Sequence, residues 1–330
     1  MTQSIPFGAR STADQVLAGV DLTRKRMVVT GCDSGIGLET MKALVANGAH
    51  VVGLAQTIDE ARAACSAAGT SSTPIAWDFT NFDSIDAAVD SICDLPGPLD
   101  AIITTTELGN PSVPQGRYGV ELQSIVEYIG HFALVNRLVD RVRSKSGRIV
   151  MGCSELTTDH APTEGVTRDD VGRRHFYEPL ASYGRAKSAH AIYAKELSRR
   201  LAPRGVAVNS LDSASIRGDR LNEHRSWTQR LLYPVAQLFT KSAAQRAATA
   251  ALLAANPQVA GISGEYWSHC QITHGNPRLA DEVLAKRLWE TSEQIVASIR
   301  AANRMAALQA AARDDGSAGR PSLIGAADQL

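Results

Sequence analysis

The sequence predicts an α/β protein, a doubly wound parallel sheet of about seven strands with helices on both faces, folded as a single domain. Three observations carry that expectation. Short, almost wholly apolar runs recur along the chain, each of strand length and bounded by glycine or polar residues. Stretches of helical apolar spacing lie between them. No internal repeat and no Pro-rich or Ser-rich linker interrupts the alternation. Strands apolar on both sides of their pleat must be covered on both faces, which strand–helix–strand units achieve.

Residues 1–24 read as a polar lead-in, with STADQVLAG as one short capped helix. MVVTG (27–31) is the first strand, and LETMKALVANG (38–48) its helix, closed by a glycine. HVVGLA (50–55) is the second strand. PIAWDF (74–79), AIITT (101–105), GRIVMG (147–152) and GVAVNSL (205–211) extend the sheet. IDAAVDSI and LQSIVEYIGHFALVNRLVDRV are helical stretches between them. The domain runs over 25–300, and 301–330 holds a helix end and a tail. From about 313, RDDGSAGRPSLIGAADQL is Gly-rich and polar and reads as disordered.

The chain has 330 residues, 44% of them hydrophobic, enough for a sizeable core. Lys plus Arg and Asp plus Glu are 34 each, which argues against nucleic acid or an anionic membrane as partner. Five scattered cysteines without a C-x-x-C pair fit a reduced, cytoplasmic protein. The first residues lack a secretory pattern, and no apolar run reaches the roughly 18 residues of a membrane helix. No membrane anchor is therefore expected. Eight histidines without H-x-x-x-H or H-E-x-x-H spacing argue against a metal site. Cys153 reads as a packed thiol rather than a nucleophile.

The first strand runs into TGCDSGIG and then a helix, the arrangement of a Rossmann-type dinucleotide fold. Thr30, Gly31, Asp33, Ser34, Gly35, Ile36 and Gly37 are the candidate phosphate loop. Its glycines permit a tight turn, and the helix N-terminus attracts pyrophosphate. An ordinary strand–helix turn is the bland alternative. At the end of the second strand, Ala55, Gln56 and Thr57 offer neither the acid that meets a ribose diol nor the cation that meets a 2′-phosphate. Asp33 would repel a 2′-phosphate, and Arg62 is the nearest cation downstream, so the balance favours NAD over NADP. Asp78, with Phe79 beside it, suits a contact to the adenine.

YGRAK places Tyr183 and Lys187 four apart on a helix, on one face. A phenol is a poor base at neutral pH unless cations stabilise its anion. With that help Tyr183 can take a proton from an alcohol while hydride leaves for nicotinamide. Chance placement on a solvated face is the alternative. Ser154, just past the fifth strand, is a candidate donor to the substrate oxygen.

Together these motifs resemble the short-chain dehydrogenase/reductase family over about 25–300, and most closely its retinol-dehydrogenase-like branch. GRIVMGCSE, the insert containing DDV, YEPLASYGRAKSAHAIYAKELSRRL, GHF, SGEYWSHC and LAKRLWETSEQI carry the likeness. The resemblance implies Tyr183 as catalytic base, Lys187 as its partner and holder of the nicotinamide ribose, and Ser154 as substrate-orienting donor. It also implies dimers or tetramers formed through helices 115–143 and 181–202. Three departures stand out. Thr104, Thr105, Thr106 and Glu107 replace the family's Asn-Asn-Ala-Gly. Glu127 occupies the position of its catalytic asparagine. Ser213 and Ala214 replace a Pro-Gly, in the stretch (Ser213 to Ile216) that forms the family's carboxamide pocket.

The segment 214–240, with Trp227, Leu231, Leu232, Tyr233, Leu238 and Phe239, is expected to cover the substrate. The insert 155–180, with His160, His175, Phe176 and Tyr177, is expected to wall the same pocket. The expected function is an NAD(P)-dependent oxidoreductase interconverting a hydrophobic alcohol, secondary by preference, and its carbonyl. Two alternatives remain at this level. Glu107 and Glu127 could support non-redox or redox-neutral chemistry with bound cofactor, or the chain could bind a nucleotide without catalysis.

Overall fold

A computed structural model of the chain describes residues 5–105, 118, 120, 122–153, 179–212, 241–273 and 277–317. Its sheet has eight strands in the order β3-β2-β1-β4-β5-β6-β7-β8. They are β1 (Arg26–Thr30), β2 (His50–Ala55), β3 (Ser72–Ala76), β4 (Ala101–Thr104), β5 (Arg148–Cys153), β6 (Ala207–Asp212), β7 (Tyr266–Ser268) and β8 (Gln271–Thr273). Every pairing is parallel except β7 with β8. Strand order reverses between β1 and β4, where Thr30 lies beside Thr104. A crevice opens outside the carboxyl ends of the strands at such a reversal.

Alternation along each strand feeds two cores. Val28, Ile102, Ile149 and Met151 point to one, and Met27, Val29, Ile103 and Val150 to the other. The second core is covered by α1 (Ala13–Leu17), α2 (Gly35–Ala46), α3 (Ile58–Ala68) and α8 (Ala243–Ala255). The lead-in belongs to this layer. Val16 and Leu17 are buried in it, and the Asn256 amide donates to the Val16 carbonyl. The first core lies under α4 (Phe82–Cys93), α6 (Gly130–Leu138), α7 (Pro179–Leu201) and α9 (Glu282–Ser317).

Three elements differ from the sequence expectation, each for a local reason. The third strand stops at Ala76 rather than Phe79, because Asp78 Oδ1 accepts from both the N–H and the hydroxyl of Thr80 and turns the chain. The stretch LQSIVEYIGHFALVNRLVDRV (122–142) is not one regular helix. A short α5 (Leu122–Ser124) leads through a π-helical turn, Ile125–Ile129, into α6. Gly130 closes that turn, its N–H donating to the Ile125 carbonyl, and a Cβ there would crowd both Ile125 O and Phe79 O at 3.1 Å. The last helix continues to Ser317, beyond the residue at which the polar tail was expected to begin.

The β7–β8 hairpin turns on His269 and Cys270, both left-handed at φ 56° and 61°. Such a pair makes a tight hairpin whose usual residues are Asn and Gly. Here Cys270 is held in place by its N–H donating to Thr249 Oγ1 on α8.

Helix α9 lies over the outer side of α6 and α7. Its Trp289 meets Phe132 and Tyr193, Ser292 hydrogen-bonds the Tyr128 hydroxyl at 2.7 Å, and Arg300 pairs with Asp86. Arg200 stacks on the Trp289 ring at 3.8 Å. Beyond Arg300 the helix stands largely in solvent, with Met305 and Leu308 exposed. Among the described residues no helix is long and apolar enough to cross a membrane.

Candidate functional site

The carboxyl ends of β1 and β4 form the floor of the crevice. Thr105 Oγ1 donates to the Thr30 carbonyl at 2.6 Å, and its N–H donates to Thr30 Oγ1 at 3.1 Å. These bonds fasten the two strand ends together beneath the glycine loop. Gly31 and Gly35 are left-handed there. Gly37 has no room for a side chain, because its Cβ would lie 2.0 Å from Gly31 O. Above Gly35 nothing stands within 4 Å of an added Cβ, so the loop faces open space. Ser34 is the N-cap of α2 and makes no side-chain capping bond. The first N–H groups of α2 are thus presented to the opening, with Ile36 anchored in the core. A glycine-lined opening on a helix N-terminus at the strand-order reversal fits a dinucleotide pyrophosphate.

Around it, Gln56 is exposed directly after β2, and Asp33 is half-buried in the loop. Arg62 pairs with Asp59 at 3.3 Å on an exposed stretch of α3. Asp78 is half-buried two residues past the end of β3, beside the buried Phe79. Thr104 is buried next to Thr30.

The second half of the site lies between α7 and the π turn, which pack together. Lys187 Nζ stands 2.7 Å from Glu127 Oε2, and both side chains are buried, at 1% and 0% exposure. The carboxylate at the departed position and the lysine of YGRAK therefore form a direct ion pair. Two histidines complete the cluster. His131 follows Glu127 by four residues and His190 follows Lys187 by three, and their rings lie 5.2 Å apart. Thr30 Oγ1 already accepts from Thr105, so its own proton is free to reach His131 Nε2 at 3.4 Å. The His131 tautomer decides which of the two donates, and His131 Nδ1 looks to the Val126 carbonyl without full hydrogen-bond geometry. The His190 ring likewise looks to the Gly152 carbonyl without full hydrogen-bond geometry.

Burial, with Lys187 adding repulsion, pushes His131 down to about 3. Burial, His131 and Lys187 likewise hold His190 well below the ordinary histidine value. Both rings are neutral at working pH. Cys153 is pushed up to about 12, chiefly by burial, and is the packed thiol the sequence suggested. His131 and His190 escaped the sequence reading as site residues, His131 being quoted only within GHF. The available signal was their placement one turn from Glu127 and Lys187.

The structure thus brings the buried Thr30, His131, Lys187 and Glu127 and the half-buried Thr105 together beside the glycine loop. Tyr183 lies on α7 one turn before Lys187, and its side chain is outside the described residues. Ser154, Thr106, Glu107, Ser213, Ile216 and the segments 155–178 and 214–240 also lie outside them. Among the described residues no group of three His, Cys, Asp or Glu is placed to hold a metal.

Residues 25–166 match the family model described as short chain dehydrogenase. The human WW domain-containing oxidoreductase is 30% identical over 301 residues, covering 88% of this chain and 72% of that protein. Retinol dehydrogenase 14 of Mus musculus is 28% identical over 297 residues, covering 84% of this chain and 87% of that one. A putative uncharacterized protein from Mycobacterium paratuberculosis shares the fold, with a TM-score of 0.65 at 20% identity over 87% of this chain and 97% of its own.

Proposed function

Because the chain belongs to the short-chain dehydrogenase/reductase family, on its retinol-dehydrogenase-like side, we propose that it is a nicotinamide-dinucleotide-dependent oxidoreductase. Its substrate is a hydrophobic alcohol, secondary by preference, or the corresponding carbonyl. The observation that carries this reading is Lys187, buried one turn from Tyr183 and beside an open glycine loop.

The loop residues Thr30 to Gly37 would hold the pyrophosphate, Asp78 and Phe79 the adenine, and Lys187 the nicotinamide ribose. When bound, the dinucleotide supplies or accepts the hydride. The chain's own part is the proton and the position of the substrate. Tyr183 gives a proton to, or takes one from, the substrate oxygen, and Ser154 donates a hydrogen bond to the same oxygen. Gln56 brings no charge to the end of β2, and Asp33 would oppose a 2′-phosphate, which supports NAD over NADP. The apolar residues of 214–240 support a lipophilic substrate. A cytoplasmic homo-oligomer belongs to the same reading. Since α9 covers the outer side of α6 and α7, its contact surface would include α9.

A panel of ketones and alcohols with NADH or NAD, followed by nicotinamide absorbance, tests the proposal. The expected result is turnover that falls by about a hundredfold or more in Tyr183→Phe. Equal rates for variant and wild type on a turned-over substrate contradict it.

A further inference from the structure

The buried ion pair alters what a lysine can do for a tyrosine one turn away, and the inference drawn from it rests on Tyr183 being the acid/base group. Tyr183 and Lys187 are four residues apart on α7, one helical turn. An unopposed ammonium there would favour the phenolate. Here Glu127 Oε2 sits 2.7 Å from that ammonium inside the protein. Seen from beyond their own separation, opposite charges so close act as a dipole, and most of the ammonium's field is cancelled.

Among the described residues, the neighbouring groups do not restore positive charge. From β1 comes Thr30, which does not titrate in this range. From α6 and α7 come His131 and His190, both held neutral, mainly by burial. From the π turn and α7 come Tyr128 and Tyr193, whose hydroxyls burial pushes above the ordinary tyrosine value. From β5 comes Cys153, neutral up to about 12. Asp212, at the end of β6, adds negative potential at Cys153. Lys241 and His269 stand near Asp212, and burial weakens the cationic form of each.

We propose that Glu127 cancels the charge of Lys187 and so keeps Tyr183 a phenol at neutral pH, making this a site that donates a proton to a carbonyl: a reductase. In that direction the Tyr183 Oη–H bond breaks and an O–H bond forms on the substrate. The carbonyl π pair moves onto that oxygen as the carbon accepts hydride from reduced nicotinamide dinucleotide. The phenolate then recovers a proton from water. The reverse reaction needs the phenolate at the outset, so its rate rises with pH while reduction runs at full rate near neutrality.

The test is a tyrosinate ultraviolet titration of the full chain without nucleotide, with the Tyr183→Phe curve subtracted so that only Tyr183 remains. The wild-type midpoint is expected near the unperturbed tyrosine value of about 10. In Glu127→Gln it should fall by about one pH unit or more, roughly a tenfold gain in phenolate at a given pH. Glu127→Asn, the family's own residue, should show the same fall and serves if the glutamine variant folds poorly. If neither folds, the wild-type midpoint decides. A wild-type midpoint at about 8 or below, or a Glu127→Gln midpoint unchanged or raised, overturns the proposal. Undiminished turnover by Tyr183→Phe would remove the acid/base reading underneath, a failure distinct from either midpoint result.

Discussion

Replacing Lys187 with methionine leaves the Glu127 carboxylate buried without the ammonium that now faces it at 2.7 Å. At an effective dielectric of about 20 the attraction across that distance is about 6 kcal/mol, which sets the gross scale. Much of it offsets the cost of taking both charges out of water. The net loss expected for breaking a buried pair from one side is therefore about 3–5 kcal/mol. Glu127→Gln, which strands the ammonium instead, should cost a similar amount. The double variant Lys187→Met/Glu127→Gln carries no stranded charge and should recover most of the loss. Urea unfolding followed by circular dichroism measures all four proteins and yields the coupling. A coupling of about 2 kcal/mol or more is expected. Strictly additive losses, or single variants within about 1 kcal/mol of wild type, would refute the claim that the two charges meet inside the protein.

Acid should unfold the protein through the two neutral histidines. A group whose folded pKa is depressed contributes stability above its unfolded value near 6.5, and that stability is lost as pH falls through the folded one. For His131, at about 3 when folded, the loss at pH 5 is about 2 kcal/mol. His131→Gln should flatten the slope of stability between pH 6.5 and 4, measured by urea midpoints; an unchanged slope counts against burial of a neutral ring. Gly37→Ala should weaken nucleotide binding by more than about tenfold, because the new Cβ falls on Gly31 O; calorimetric titration with NADH that matches wild type would contradict the close approach. Trp289→Ala should cost about 3–5 kcal/mol, since the ring packs against Phe132, Tyr193 and Arg200; a change below about 1 kcal/mol in urea unfolding would mean α9 is not docked as described.

The parallel sheet was readable because its strands are nearly continuous apolar runs, and nothing else buries such runs so economically in length. What sequence patterns missed depends on single side chains acting across space. Asp78 ends the third strand by capturing Thr80, a side-chain decision invisible to hydrophobic periodicity. The last hairpin has only three residues a side and turns on His269 and Cys270 in place of glycine. The glycine loop and Lys187 were legible because their spacing is itself the signal. Glu127 was noticed only as a departure, since its contact with Lys187 joins two helices far apart in sequence. His131 and His190 carry no local pattern beyond their one-turn spacing from Glu127 and Lys187. Their meaning comes from converging on the same ion pair and on Thr30.

The central claim is that the glycine loop and Lys187 serve a nicotinamide dinucleotide, and the most direct measurement is fluorescence titration of the purified protein with NADH and NADPH. Saturable binding of NADH, tighter than that of NADPH and weakened by Gly37→Ala, is the predicted result. No saturable binding of either dinucleotide would contradict the account.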